Sequence, residues 1–359
     1  MKKLDLYIIK RFLGTFFFML ALIMSIAIVF DVSEQLKRFI KYDAPVDQII
    51  LKYYVNFVFY FGNLFSSLLI FLSVLLFTGQ LAQRSEIVAI LAGGVSFKRL
   101  LRPYFIAASI LVGISLYFTH YQLPIANRVR IQFEEEFMNK KYQIKDDNLH
   151  REIEKNTLAY FETFSTLNNI GYKFSLEKWN DDGKLEYKML ADRAKYNEDN
   201  DRWEIQGYRV REFTSEGEII YRGTKIDTSL NMVPEDFGVK LNIASTMGYN
   251  ELTEFIEEER QKGSNQTVFF EIEKHQRTSY PFASYILTVI AVSMAGRKSR
   301  GGIGGHLALG VLIAVVYIFA MKVTTVAATN AGLNPLLAVW LPNIFFTGVA
   351  ILAARNAQK

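Results

Sequence analysis

The side chains in this chain that could act chemically are mostly cations, placed where a cation is costly. Lys322 is the only charged residue between Gly301 and Ala354. It lies about 16 residues into an apolar run opening near His306, roughly 24 Å along a helix and close to the end of the hydrocarbon. A lysine at mid-bilayer costs about 2.5–3.5 kcal/mol, and less where its stem reaches an interface. Two readings stand: snorkelling to headgroups, or a cation lining a cavity that receives an anionic ligand. Lys37 and Lys41 sit one helical turn apart beyond another apolar run, and Arg128 and Arg130 follow a third. Each alone reads as an ordinary solvated or headgroup-facing side chain. Together they suit phosphate or carboxylate groups passing one mouth of a membrane structure.

A second candidate is the loop from Gly79 to Arg102. Its stretch Arg84-Ser85-Glu86-Ile87-Val88-Ala89-Ile90-Leu91-Ala92-Gly93-Gly94-Val95-Ser96 is amphipathic and helix-prone over about 84–96, with glycines to end it. Ser85 is placed to cap this helix, and Glu86 is favourable near a helix N-terminus. A short helix with an apolar face either lies on a membrane or docks in a partner's groove. A plain surface connector is the competing reading.

Catalytic patterns are missing. A phosphate-cradling loop needs Gly-x-x-x-x-Gly-Lys-Ser/Thr, and the one Gly-Lys pair, Gly183-Lys184, is followed by Leu185. Gly301-Gly302-Ile303-Gly304-Gly305 has no lysine after it and reads as a hinge. The four histidines fall at no metal-ligand spacing, and there is no Gly-x-Ser-x-Gly elbow. With no cysteine, thiol chemistry, disulfides and Cys-based metal sites are excluded. The acidic runs Glu134-Glu135-Glu136 and Glu257-Glu258-Glu259 read as solvated helix faces. No catalytic residue, metal site or cofactor is assigned. The net charge of +5 sits largely in basic loops and is poor evidence for a nucleic-acid partner.

The elements that must position these groups follow from where charge is absent. Phe12–Phe30, Tyr53–Gln83, Pro103–Asn127 and Thr278–Gly296 carry none. The last apolar block breaks at Asn330-Ala331-Gly332-Leu333-Asn334-Pro335, a turn by composition. Six spans are expected, at about 12–32, 55–79, 103–123, 279–296, 306–328 and 336–354. Basic residues at the N-terminus, in the 84–102 loop, at Arg297-Lys298-Ser299-Arg300 and in the tail alternate onto one side, which the positive-inside tendency makes cytoplasmic. The polar segment between Arg128 and Arg277 then faces outward. Within it Tyr172, Phe174 and Leu176 alternate with polar neighbours before the turn Asn180-Asp181-Asp182-Gly183, as in an antiparallel sheet. A helix is expected from about Asn250, stopped by Gly263. The expected fold is a membrane α-helical bundle of six transmembrane helices with an inserted all-β jelly-roll domain. Its parts are 1–124 with three spans, 125–275 with the β domain, and 276–359 with three more spans.

That layout, with Arg84 to Ala89, Gly93 to Ser96, Glu273-Lys274-His275-Gln276-Arg277 before Pro281, and Gly332 to Pro335 leading to Trp340-Leu341-Pro342-Asn343, resembles the lipopolysaccharide-export permeases LptF and LptG (the YjgP/YjgQ family). The resemblance covers essentially the whole chain. It implies an ABC transporter permease subunit in the cell inner membrane with cytoplasmic termini and a periplasmic β domain. Its implied partners are a cytoplasmic ATPase dimer, a second permease of the family, jelly-roll bridge proteins and lipopolysaccharide. It also implies an ATPase-coupling helix containing Arg84, Ser85, Glu86, Ile87, Ala89 and Gly93. A lateral gate formed by spans one and five would bring Lys37, Lys41 and Lys322, with Arg128 and Arg130, near the lipid. Two other readings are an ATPase-coupled signalling or mechanotransmission protein that moves no lipid, and a lipid-modifying enzyme lacking a visible catalytic cluster.

Overall fold

A computed structural model describes the chain apart from residues 1–2, 139–144, 166–167, 199, 215–216, 238–240, 262, 265, 297–302 and 358–359. The expected basic loop Arg297 to Arg300 and the Gly301-Gly302 pair of the hinge therefore lie outside the described residues. The chain divides into two units: Met1–Asn139 with Ser245–Tyr249 and Glu271–Lys359, and Lys140–Ala244 with Asn250–Phe270.

The first unit is helical. Its first helix, α1 (Lys3–Lys41), has no proline and one glycine, and runs unbroken for 39 residues. That is about 58 Å of helix, well beyond roughly 30 Å of hydrocarbon. The second crossing has two pieces, α2 (Val55–Leu64) and α3 (Ser66–Gln83), separated at Phe65. A short α4 (Glu86–Ala92) follows, then α5 (Phe97–Tyr117). A π-helical turn at Phe118–Gln122 joins α5 to α6 (Leu123–Met138), so this helical path continues well past 123. In sequence order α7 (Tyr249–Gln261), almost all of it in the second unit, and then α8 (Thr267–Ala295, in the first unit from Glu271), α9 (Ile303–Ala331) and α10 (Pro335–Ala357) complete the helices used below. Among the described residues, six helical stretches are long and apolar enough to cross a membrane.

Helix α3 packs against both α1 and α9. Phe71, Val74 and Leu75 are fully buried there. Gly310 permits the close approach of α9: a Cβ at that position would lie 2.2 Å from the Leu75 side chain. Helix α8 contains Pro281. Beside it, Asn343 donates to the Ser279 carbonyl (3.0 Å) and Ser67 to the Tyr280 carbonyl (2.9 Å). These two bonds tie α8 to α10 and to α3 beside the proline. Asn343 also accepts from the Tyr317 hydroxyl at 2.8 Å, joining α8, α9 and α10. The turn between α9 and α10 falls in the segment expected from composition. Gly332 is left-handed (φ +70), and the Asn334 side chain accepts from the Leu336 amide at 3.0 Å, capping α10 with Pro335 in its first turn.

The second unit contains one six-stranded antiparallel sheet in sequential order: β1 (Lys145–Glu154), β2 (Thr157–Ser165), β3 (Ile170–Trp179), β4 (Leu185–Asn197), β5 (Arg202–Thr214) and β6 (Gly217–Thr228). The inserted β domain therefore takes the form, among the described residues, of a meander. Its core is aromatic. Phe161 lies 4.9 Å from Phe174 and 4.7 Å, edge-on, from Phe237. Gly171 makes room for it, since a Cβ there would meet the Phe161 ring at 2.1 Å. Buried Trp203 donates its indole N–H to the Met232 carbonyl at 2.9 Å.

Two expectations about acidic runs are corrected. Glu134 and Glu259 are each 1% exposed, so neither run is wholly a solvated face. Glu134 receives Arg130 at 2.8 Å and Glu259 receives Arg151 at 3.3 Å. A buried carboxylate is tolerated when a cation meets it, and each run supplies one.

Candidate functional site

The elbow between α3 and α5 is built from residue types the sequence singled out, with shorter bounds. Arg84 ends α3 and is exposed. Ser85 adopts a left-handed conformation (φ 60) at the N-cap of α4 and makes no capping bond with its side chain. The reversal of the chain, rather than a hydroxyl cap, starts this helix. α4 covers only Glu86–Ala92. Ile87 is buried in the helical core at 1% exposure, whereas Val88 and Ala89 are exposed. The short helix is thus pinned by one apolar residue and presents a small, apolar outer face. Gly93 closes it in ordinary backbone geometry, and Gly94 takes the left-handed position (φ +85). Ser96 is a true cap: its hydroxyl accepts from the Arg99 amide at the start of α5 (3.3 Å).

Two contacts on this elbow escape any local reading of the sequence. The Tyr7 hydroxyl donates to Glu86 Oε2 at 3.2 Å. Arg99 forks onto Asp5, Nη1 to Oδ1 and Nη2 to Oδ2, both at 2.8 Å. Asp5 is 6% exposed. The first turn of α5 has no acid and holds Lys98 and Arg99. Cations at the positive end of a helix dipole are unfavourable, and Asp5 offsets that from another helix. One clue was available: Asp5 is the only acid before Asp31. A shallow cavity of about 370 Å³ beside the elbow is lined by Leu91, Val95, Phe97, Lys98 and Ala357, so the end of α10 is at this end too.

The five cations separate into two groups. Lys37, Lys41 and Lys322 are exposed. Lys41 lies 5.2 Å over the Tyr42 ring. Arg128 and Arg130 are held by the fold. Arg130 binds Glu134 and stacks 4.9 Å over Tyr60. Arg128 donates to the Thr246 carbonyl at 3.2 Å. It belongs to a set with Asn127, which donates to Ser245 (3.1 Å), and Arg277, which donates to Met247 (2.9 Å). Three consecutive carbonyls at the end of a 3-10 helix (Leu241–Thr246) thus receive side-chain donors, as the last carbonyls of a helix require. Arg277 is the residue of the 273–277 motif that does this.

The helices carrying the open lysines share a property. In their most apolar windows only 17% of the residues of α1 and 22% of those of α9 are buried by the rest of the chain, against 67% for α3. Both pack on α3, and both leave most of these residues at least partly exposed.

A family model described as "Lipopolysaccharide export system permease LptF/LptG" matches residues 6–356. Among curated proteins no match is found.

Proposed function

We infer the function from the premise that this chain belongs to the LptF/LptG family of lipopolysaccharide export permeases, whose model spans nearly all of it. The proposed role is the permease subunit of an ABC transporter that extracts lipopolysaccharide from the outer leaflet of the inner membrane. The partners are a cytoplasmic ATPase dimer, a second permease of the family and periplasmic jelly-roll bridge proteins. Such a lipid resists removal by about 0.8 kcal/mol for each CH2 brought into water. An energy-coupled step and an apolar receiving surface are therefore both required.

In this reading the elbow faces the cytoplasm, where its basic residues agree with the positive-inside tendency. Closure of the ATPase pushes on Arg84, Glu86 and the outer face of α4. Displacement reaches α1 and α9, and the cavity they border narrows. Lys37, Lys41 and Lys322 meet the anionic headgroup. Their openness supports this; Arg128 and Arg130 contribute by holding the local fold. The lipid leaves toward the β domain.

The observation that carries the reading is the family match across both helical segments and the inserted sheet. Its test is Glu86→Ala in the assembled complex. Export is expected to stop and the ATPase to associate less tightly, with thermal unfolding unchanged. Normal export would remove the coupling role. Mass spectrometry of the purified complex should show ATPase, second permease and bound amphiphile together.

A further inference from the structure

We propose that Asp5 and Tyr7 are positioning residues that latch α1 to the elbow, so that displacement of α4 is delivered to the outer end of α1. The proposal rests on the coupling role of the elbow and specifies how force leaves it.

Both ends of the elbow are bonded to one turn of one helix. Tyr7 reaches Glu86 at the start of α4, and Asp5 receives the Arg99 fork at the start of α5. The fork fixes orientation as well as distance, because two parallel N–H···O bonds define a plane. Asp5 is 6% exposed. Parting it from Arg99 would take the cation from a buried carboxylate and return an uncompensated cation to the positive end of α5. The pair therefore holds while the elbow moves, and α1 moves with it.

The rest of α1 suits transmission. The second crossing is interrupted at Phe65, and Pro281 sits within α8. α1 is continuous from Lys3 to Lys41. The 32 residues from Asp5 to Lys37 span about 48 Å of helix. A push at the elbow thus reaches Lys37 and Lys41 through a single rod.

The test uses the complete complex in lipid vesicles, with lipopolysaccharide release and nucleotide hydrolysis measured together. In Asp5→Asn/Tyr7→Phe, hydrolysis should stay near that of the unaltered complex while lipid released per nucleotide falls about ten-fold, a size in keeping with coupling residues outside the ligand site. Asp5→Glu should recover much of the ratio, which a purely structural role would not predict if both variants unfold alike. Unchanged release per nucleotide in an intact double variant overturns the latch. If that variant fails to assemble, Arg99→Lys decides: it keeps the charge and loses the fork, so a lowered ratio supports the latch and an unchanged one overturns it. Glu86→Ala is run alongside. If it exports normally, the coupling reading falls and the latch with it. If it is inactive while the double variant is normal, only the latch falls.

Discussion

Arg130 and Lys322 show how little charge alone says about a role. Arg130 is gripped by buried Glu134 and stacked on Tyr60. Arg130→Ala should lower stability by about 3 kcal/mol, because it takes a cation from a buried carboxylate. Lys322 is exposed in α9, and Lys322→Ala should change stability by less than about 0.5 kcal/mol. Thermal unfolding in one detergent compares the two. Photo-crosslinking to lipopolysaccharide should then fall for Lys322→Glu and for Lys37→Glu; crosslinking that does not fall leaves these lysines as snorkelling residues only. Lys322 was legible in the sequence because it interrupts an apolar run. The state of Arg130 was not, since an Arg four residues before a Glu on a helix reads as a surface pair. Phe133, next to Glu134, packs with Phe39 and Tyr53, residues that come together only in the folded chain.

At the scale of elements, lack of charge announced the crossings and period-two apolarity announced the strands. The ends were less accessible. The elbow helix stops at Ala92, because residues 93–96 form a turn and a cap for the next helix. Its ties to α1 span 79 and 94 residues of sequence, and no local pattern encodes such pairs. The approach of α9 to α3 is likewise a property of contact, set by one hydrogen in place of a side chain at Gly310. Gly310→Leu should force the two helices apart at a cost of about 1–3 kcal/mol, read as a lower Tm. A Tm equal to that of the unaltered protein would mean that α9 does not depend on this approach.

For the molecule as a whole, the six crossings and the sheet inserted among them were legible, and the pairings that set local stability were not. In the β domain Lys225 meets Glu204 at 2.8 Å, and this bond, with a second from Gln206, holds the Glu204 carboxyl below its ordinary pKa. The folded state therefore binds that proton less tightly than the unfolded state. Its contribution is present above the unfolded carboxylate pKa of about 4.3 and is lost as pH falls through the lower folded value. Across that window the Tm of the full chain should fall more steeply than that of Glu204→Gln; parallel profiles would show that the pair adds nothing. The effect will be small, as for exposed pairs in general. A last consequence comes from the tight reversal at Gly332 and the bond from Tyr317 to Asn343. Strapped at its tip and again along its length, α9 is held to α10, whereas α1 is tied to the elbow near one end and, through Asp31, to the hydroxyls of Tyr53 and Tyr54 towards the other. A pull on α9 is therefore shared with its neighbour in sequence, while a pull on α1 is passed to the elbow and to the start of the second crossing.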